Sequence, residues 1–367
     1  METGWSAGSV DWPVQRPMST KKRVFEVLFF LAVMALTFTA VFKGQDMGKM
    51  LDAVLKMDPL YLTAAFLLGM LFICLEGFMI WDLLSALDGK SSLLQCVSYS
   101  FVGFFYSGIT PSATGGQPMQ LYYMTKDGNR ATDSTVVLMT VALCYKLVLV
   151  CIGLGILAGW GGPLRLYLKG YFGFYLLGLF LNTVLVILIL LVMLFPGIIL
   201  RTAGWGEALL VRLGLFKTSG QRMEKVQHFV DQYRQAVQFL KEHKGKLAEI
   251  VGLTFLQRST LFVLTWMVYL GFGLTGTKGM TVMLLQAAVY IAVDMLPVPG
   301  AQGITELMYK TVFAAVFTKG FLIPSMLVSR SVNFYFLLLV SLGFAAAASV
   351  LSKKVPYRQK INKGDFS

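Results

Sequence analysis

The stretch YFGFYLLGLFLNTVLVILILLVMLFPGIIL fills residues 171–200 and holds no Asp, Glu, Lys or Arg. At 1.5 Å of rise per residue, about 20 such residues cross the hydrocarbon core of a bilayer. A surface helix of a soluble domain keeps one polar face for water, and this run has none. It reads as a membrane span. Working outward from it, five more complete spans are expected at about 24–42, 60–84, 133–160, 247–275 and 321–350. The run at 24–42 follows Lys21-Lys22-Arg23 and is too long for the core of a signal peptide, so it reads as a retained first span.

Composition agrees. The chain is 56% hydrophobic and 14% charged, against about 45–50% and about 25% in soluble domains. A net charge of +13 would suggest nucleic acid in a soluble protein. Here the cations lie between apolar runs, where topology and anionic lipid account for them. The sequence carries no phosphate-binding loop, RNA-binding signature or zinc spacing. Cys74, Cys96, Cys144 and Cys151 all lie in apolar segments without a CxxC pair, so neither a disulfide framework nor a metal is expected. His228 and His243 share one polar stretch, which excludes histidine catalysis within the membrane. No cofactor is expected.

Two apolar regions are interrupted. Residues 91–124 contain no charge and are broken by Gly108, Pro111, Gly115, Gly116 and Pro118. Residues 279–317 are broken by Pro297, Pro299, Gly300 and Gly303. Proline removes a backbone donor and clashes with the preceding turn. Irregular backbone at membrane depth survives only when buried in protein or lining a cavity. Each region therefore reads as two half-helices meeting at an irregular, re-entrant tip.

Charge gives the topology. Residues 201–246 hold nine Lys or Arg against four Asp or Glu, and the tail after Ser352 holds five against one. With the basic amino terminus, both belong in the cytoplasm. Six spans counted from an inside start place them there if each broken segment returns to its own side. Two full hairpins would satisfy the charges equally well. The first broken segment then enters from the cytoplasm and the second from outside, as in inverted-repeat transporters. The expected architecture is all-α: a cytoplasmic tail at 1–23, a first membrane half at 24–200, a linker at 201–246, a second half at 247–350, and a basic tail at 351–367. Within the linker, Met223, Val226, Val230, Tyr233, Val237 and Leu240 recur every three or four residues, an amphipathic helix. It reads as a connector at the cytoplasmic interface or as a docking helix for a partner.

Ionisable groups inside spans cost about 2.5–3.5 kcal/mol each at mid-helix and mark function by default. Here they are Glu76, Lys146, Arg258, Asp294, Glu306 and Arg330. Asp294 and Glu306 bracket the second break. Glu306 would sit in the first turn of a half-helix, either capping amides or binding a cation or proton. Arg330 and Arg258 each lie about ten residues into a span and could hold a lipid phosphate through the guanidinium fork. Alternatively Arg330 neutralises Glu306 or Asp294. Glu76 and Lys146 could pair across helices. Gln117 and Gln120 add neutral hydrogen-bonding groups to the first break, which is either an anion-binding loop or a tight interhelical turn.

Thr110-Pro111, Gly115-Gly116-Gln117-Pro118, Tyr122-Tyr123 and Gly128, with Pro297-Val298-Pro299-Gly300, Gly303, Glu306 and Arg330, resemble the signatures of the transmembrane flippase domain of the lysylphosphatidylglycerol synthase family. The resemblance runs from about residue 24 to 350. It departs at Ala301-Gln302, where a second glycine is usual, and at Lys126-Asp127 in the first signature. It implies a multi-pass protein of the cell membrane, with both termini cytoplasmic, that moves aminoacylated phosphatidylglycerol outward and so resists cationic antimicrobial peptides. Fused members carry a soluble aminoacyltransferase; fifteen residues after Ser352 leave no room for one here. A separate transferase partner, and lysyl-tRNA only through it, is the corresponding expectation. Homo-oligomerisation stays open. The other readings are a phosphatidylglycerol lysyltransferase and a non-transporting scaffold.

Overall fold

The computed structural model describes residues 54–110, 113–195, 241–296, 303–318 and 320–351, with isolated positions between them (48, 52, 197, 198, 201, 205, 227, 230–235, 237, 238, 298 and 301). The expected first span at 24–42, both tails and most of the linker lie outside the described residues, as do Pro111, Pro297, Pro299 and Gly300.

The described residues are helical. They form α1 (Pro59–Ala86), α2 (Leu93–Ile109), α3 (Gly116–Lys126), α4 (Ala131–Leu168), α5 (Phe172–Leu194), α6 (Lys244–Gly271), α7 (Gly279–Val293), α8 (Ile304–Val312), α9 (Leu322–Arg330) and α10 (Leu337–Leu351). A π-helical segment, Ser331–Phe336, joins α9 to α10. Four stretches are long and apolar enough to cross a membrane: Pro59–Ala86, Ala131–Leu194, Lys244–Gly271 and Leu322–Ser349. The second of these doubles back. The Tyr175 hydroxyl on α5 donates to the Gly153 carbonyl on α4 at 2.7 Å, so α4 and α5 run alongside each other. Helix geometry is lost at Trp160 (φ −141°, ψ 18°), just before Gly161-Gly162-Pro163.

Sequence logic explains the ends. Asp58 caps α1 by accepting from the Leu60 amide at 2.8 Å, and Pro59 starts the helix where its missing donor costs nothing. Ser92 and Gln95 form a reciprocal capping box on α2. The outward face of α5 exposes Leu177, Phe180, Ile187, Leu188 and Leu194, the apolar surface a bilayer would cover.

Both interruptions occur where expected. Each is a turn between two short helices: α2 and α3 flank the first, α7 and α8 the second. Each tip holds an alanine in the left-handed region, Ala113 (φ 53°) and Ala301 (φ 49°). A glycine follows two residues later, at the start of the second half-helix.

The order long helix, short helix, break, short helix, long helix occurs twice, in α1–α4 and in α6–α10. The two leading helices run antiparallel. The Asp58 amide meets the Gly271 carbonyl at 3.0 Å, Phe72 the Gln257 side chain at 2.9 Å, and Asp82 is ion-paired with Lys246. Of the linker, Val230, Tyr233 and Val237 are fully buried, and the Tyr233 hydroxyl reaches Met139 of α4. These three residues of the expected stripe pack with Val136 and Val137 of α4 and Ile250 of α6, while Met223, Val226 and Leu240 lie outside the described residues.

Candidate functional site

The short helices bring the ionisable residues of the spans together in pairs. Asp294 follows the last turn of α7, and Lys146 of α4 forms an ion pair with its Oδ2. The Tyr145 hydroxyl donates to Asp294 Oδ1. Both charged side chains are nearly buried, at 11% and 8% exposure. Beyond the tip, Glu306 sits in the first turn of α8. Its Oε2 accepts from the Gly303 amide at 2.7 Å, and its Oε1 accepts from Arg330 Nε at 2.8 Å. Gly303 has φ 82°, a conformation that glycine adopts without a Cβ penalty. The second broken segment is therefore pinned on both sides of its tip, by a lysine from the first half and an arginine from the second. Removing charge from water costs several kcal/mol per ion, and the pairing offsets this only when remaining lone pairs are also bonded. The Tyr145 hydroxyl and the Gly303 amide supply those bonds.

Arg330 ends α9 at the entry to the π-helical segment. Such local widening often accompanies functional sites. Its guanidinium also lies 4.9 Å from the Phe334 ring centroid.

Arg258 on α6 is buried between two aromatic faces, 3.8 Å from the Tyr145 centroid and 4.7 Å from that of Phe72. It donates to the Tyr290 hydroxyl at 3.3 Å and to Gln257 at 3.1 Å. Its Nε is buried and makes no hydrogen bond among the described residues. Tyr290 and Tyr145 share a hydrogen bond of 3.2 Å. On the other side, Glu76 of α1 lies within electrostatic reach of Arg258 and accepts from Gln120 of α3 at 2.8 Å. A polar path thus runs from α3 through Glu76, Arg258, Tyr290 and Tyr145 to Asp294. It joins the two broken segments through the centre of the bundle.

The first tip is built by its hydroxyl and its small residues. Thr110 Oγ1 donates to the Tyr106 carbonyl at 2.6 Å and accepts from the Gly115 amide at 2.9 Å. A Cβ on Gly116 would lie 2.1 Å from Ser107 Oγ, and one on Gly103 would lie 2.4 Å from Gln120 Nε2. Absence of those atoms lets α3 pack back along α2 and places Gln120 against Glu76. Gln117 and Pro118 are exposed.

Several sequence expectations change. Glu76 does not pair with Lys146: the lysine holds Asp294, and Glu76 holds Gln120. Arg330 takes Glu306 as its partner, and Glu306 also caps. Arg258 and Arg330 are tied to different groups. The sequence reading missed Tyr145, Tyr290 and Gln257. Each had a local signal: Tyr145 and Gln257 neighbour a buried cation in sequence, and Tyr290 lies one turn before Asp294.

The family model described as "Lysylphosphatidylglycerol synthase TM region" matches residues 23–341. No curated protein matches the chain.

Proposed function

The chain belongs to the lysylphosphatidylglycerol synthase transmembrane family, and from that premise we propose that it is a phospholipid translocase. Its cargo is aminoacylated phosphatidylglycerol, foremost the lysyl form, moved to the outer leaflet of the cell membrane. Loss of surface negative charge then gives resistance to cationic antimicrobial peptides.

The observation that carries this reading is the pair of buried ion bridges, Lys146–Asp294 and Arg330–Glu306, flanking one broken segment. A lysyl-lipid headgroup carries a phosphate anion and ammonium cations. Such a headgroup can exchange partners with one bridge at a time. Its phosphate takes the lysine or arginine of that bridge, the guanidinium in a fixed fork, and one ammonium takes the carboxylate. Each charge of the opened bridge thus stays paired, and the second ammonium keeps the lipid's net positive charge before and after the exchange. Opening a bridge frees the second segment on that side of its tip. The path through Arg258 and Glu76 to Gln120 transmits the change to the first segment. The repeated element order and the antiparallel α1 and α6 support six spans, two re-entrant segments and an inverted repeat that gates opposite faces.

The test is a liposome assay with a headgroup-labelled phospholipid and an impermeant quencher. Folded protein that moves no label above the rate of empty vesicles contradicts the reading. The family's description also admits a lipid-modifying enzyme. Purified protein given lysyl-tRNA and phosphatidylglycerol is expected to make no lysyl-lipid, and product would favour that second reading.

A further inference from the structure

A cavity of about 550 Å³ lies between α4, α6 and α7, within the ~300–1,000 Å³ range of small-ligand sites. Its wall is apolar except for Ser259, whose hydroxyl is spent on the Phe255 carbonyl at 2.8 Å. Gly155 and Gly159 form its floor on α4, and a Cβ built on either meets nothing within 4 Å. The loss of helix geometry at Trp160 follows immediately. Phe255 and Met280, at 55% and 62% exposure, form an open outer lip.

The groove adjoins the polar path. Phe255 and Ser259 on its wall flank Arg258 along α6, and Ala287 lies one turn before Tyr290 on α7. The Phe262 and Tyr290 rings meet at 6.5 Å. All three helices are apolar, two of them within stretches long enough to cross a membrane. A hollow opening sideways there meets hydrocarbon rather than water. Phe262 of its wall packs on Tyr290, which accepts from Arg258, a buried guanidinium whose Nε has no hydrogen-bond partner among the described residues.

We propose that this groove holds one acyl chain of the transported phospholipid, while the headgroup engages the Lys146–Asp294 bridge, which Tyr145 and Tyr290 join to Arg258. The subsite rests on the translocase reading and deepens it: recognition extends to the tail. Tail length and branching then affect binding, and the chain stays in hydrocarbon while the headgroup crosses beside it.

The experiment reconstitutes the full chain in nanodiscs with phosphatidylglycerol bearing a photoreactive diazirine near one acyl terminus. Labelled residues are mapped by mass spectrometry. Leu188 and Leu191, exposed on α5 away from the groove, report ordinary lipid contact. Labelling at Ile152, Ile156, Met283 and Leu284 is expected to exceed theirs several-fold. Gly155→Leu, at a groove position where a Cβ meets nothing within 4 Å, is expected to abolish that excess while leaving α5 labelling unchanged. Equal labelling of groove and α5 in the wild type overturns the proposal, and that outcome needs no variant to fold. Occupation by residues 24–42 or by a second copy also leaves the wild-type groove unlabelled, and a change of oligomeric state in Gly155→Leu identifies the second copy. Liposome translocation is measured on the same preparations. Groove labelling without translocation refutes the proposed function alone, and translocation without groove labelling refutes this inference alone.

Discussion

Glu306 offers the sharpest perturbation because its two oxygens do different work. Oε1 receives Arg330 Nε at 2.8 Å and Oε2 receives the Gly303 amide at 2.7 Å, with the side chain 5% exposed. Removing one member of a buried ion pair costs about 3–5 kcal/mol, because the other is left charged and unpaired. Glu306→Ala also strands the Gly303 amide, adding roughly 1–3 kcal/mol. Glu306→Gln keeps an oxygen for that amide, so its loss isolates the charge. Arg330→Gln leaves the carboxylate without its cation. The double variant Glu306→Gln with Arg330→Gln removes both charges, and neutral replacement of a whole pair is often close to costless. Thermal unfolding in detergent is therefore expected to show a loss of about 3 kcal/mol for each single variant and about 1 kcal/mol or less for the double. Transport behaves differently, because a headgroup needs the charges themselves. Translocation in liposomes is expected to fall at least ~10-fold in all three, equivalent to ~1.4 kcal/mol on the barrier. If transport returns with stability in the double variant, the pair is a structural clamp and the exchange of partners is refuted.

Four further outcomes follow from packing and hydrogen bonding. Gly178→Ala places a Cβ 2.2 Å from the Ile291 carbonyl oxygen and 2.9 Å from Ala292 Cα, both backbone; it should prise α5 from α7 and cost at least the ~1–3 kcal/mol typical of overpacking. Gly155→Ala, with open space around its Cβ, should leave the unfolding temperature unchanged or raise stability by up to about 1 kcal/mol through helix propensity. Gly103→Ala drives into the Gln120 amide at 2.4 Å and should break its bond to Glu76, a loss of about 1–3 kcal/mol in thermal unfolding; adding Gln120→Ala should recover the steric part. Tyr290→Phe removes the hydroxyl shared by Arg258 and Tyr145. It should lower stability by roughly 1–3 kcal/mol and slow translocation in the liposome assay.

The sequence made legible whatever is local. Pro and Gly clusters located both tips, and α1, α6 and the last apolar stretch, Leu322–Ser349, begin and end within a few residues of the expected spans. The helix expected over 133–160 does lose its geometry at Trp160, and a second helical piece, with Pro163 in its first turn where the missing donor costs little, carries on to Leu168. Partner choice was not legible. Lys146 and Asp294 are 148 residues apart, and which carboxylate a buried lysine meets depends on helix rotation and relative depth. Glu76 and Lys146 both sit mid-span, so depth alone made them plausible partners. The close approach of α3 to α2 at Gly103 and Gly116 turned Gln120 toward Glu76 instead. Tyr145 and Tyr290 went unremarked because a tyrosine in an apolar run is ordinary until its hydroxyl is seen to bridge two buried ions.

The central claim is tested most directly in cells that synthesise lysyl-phosphatidylglycerol. An impermeant amine-reactive reagent labels the headgroups exposed in the outer leaflet, and mass spectrometry gives the labelled fraction with and without the chain. A translocase predicts a higher labelled fraction with the protein present, at unchanged total lysyl-lipid, and a return to the background value in the Glu306→Gln, Arg330→Gln double variant. An unchanged labelled fraction with folded protein in the membrane would contradict it, and a rise in total lysyl-lipid instead would assign the chain to synthesis.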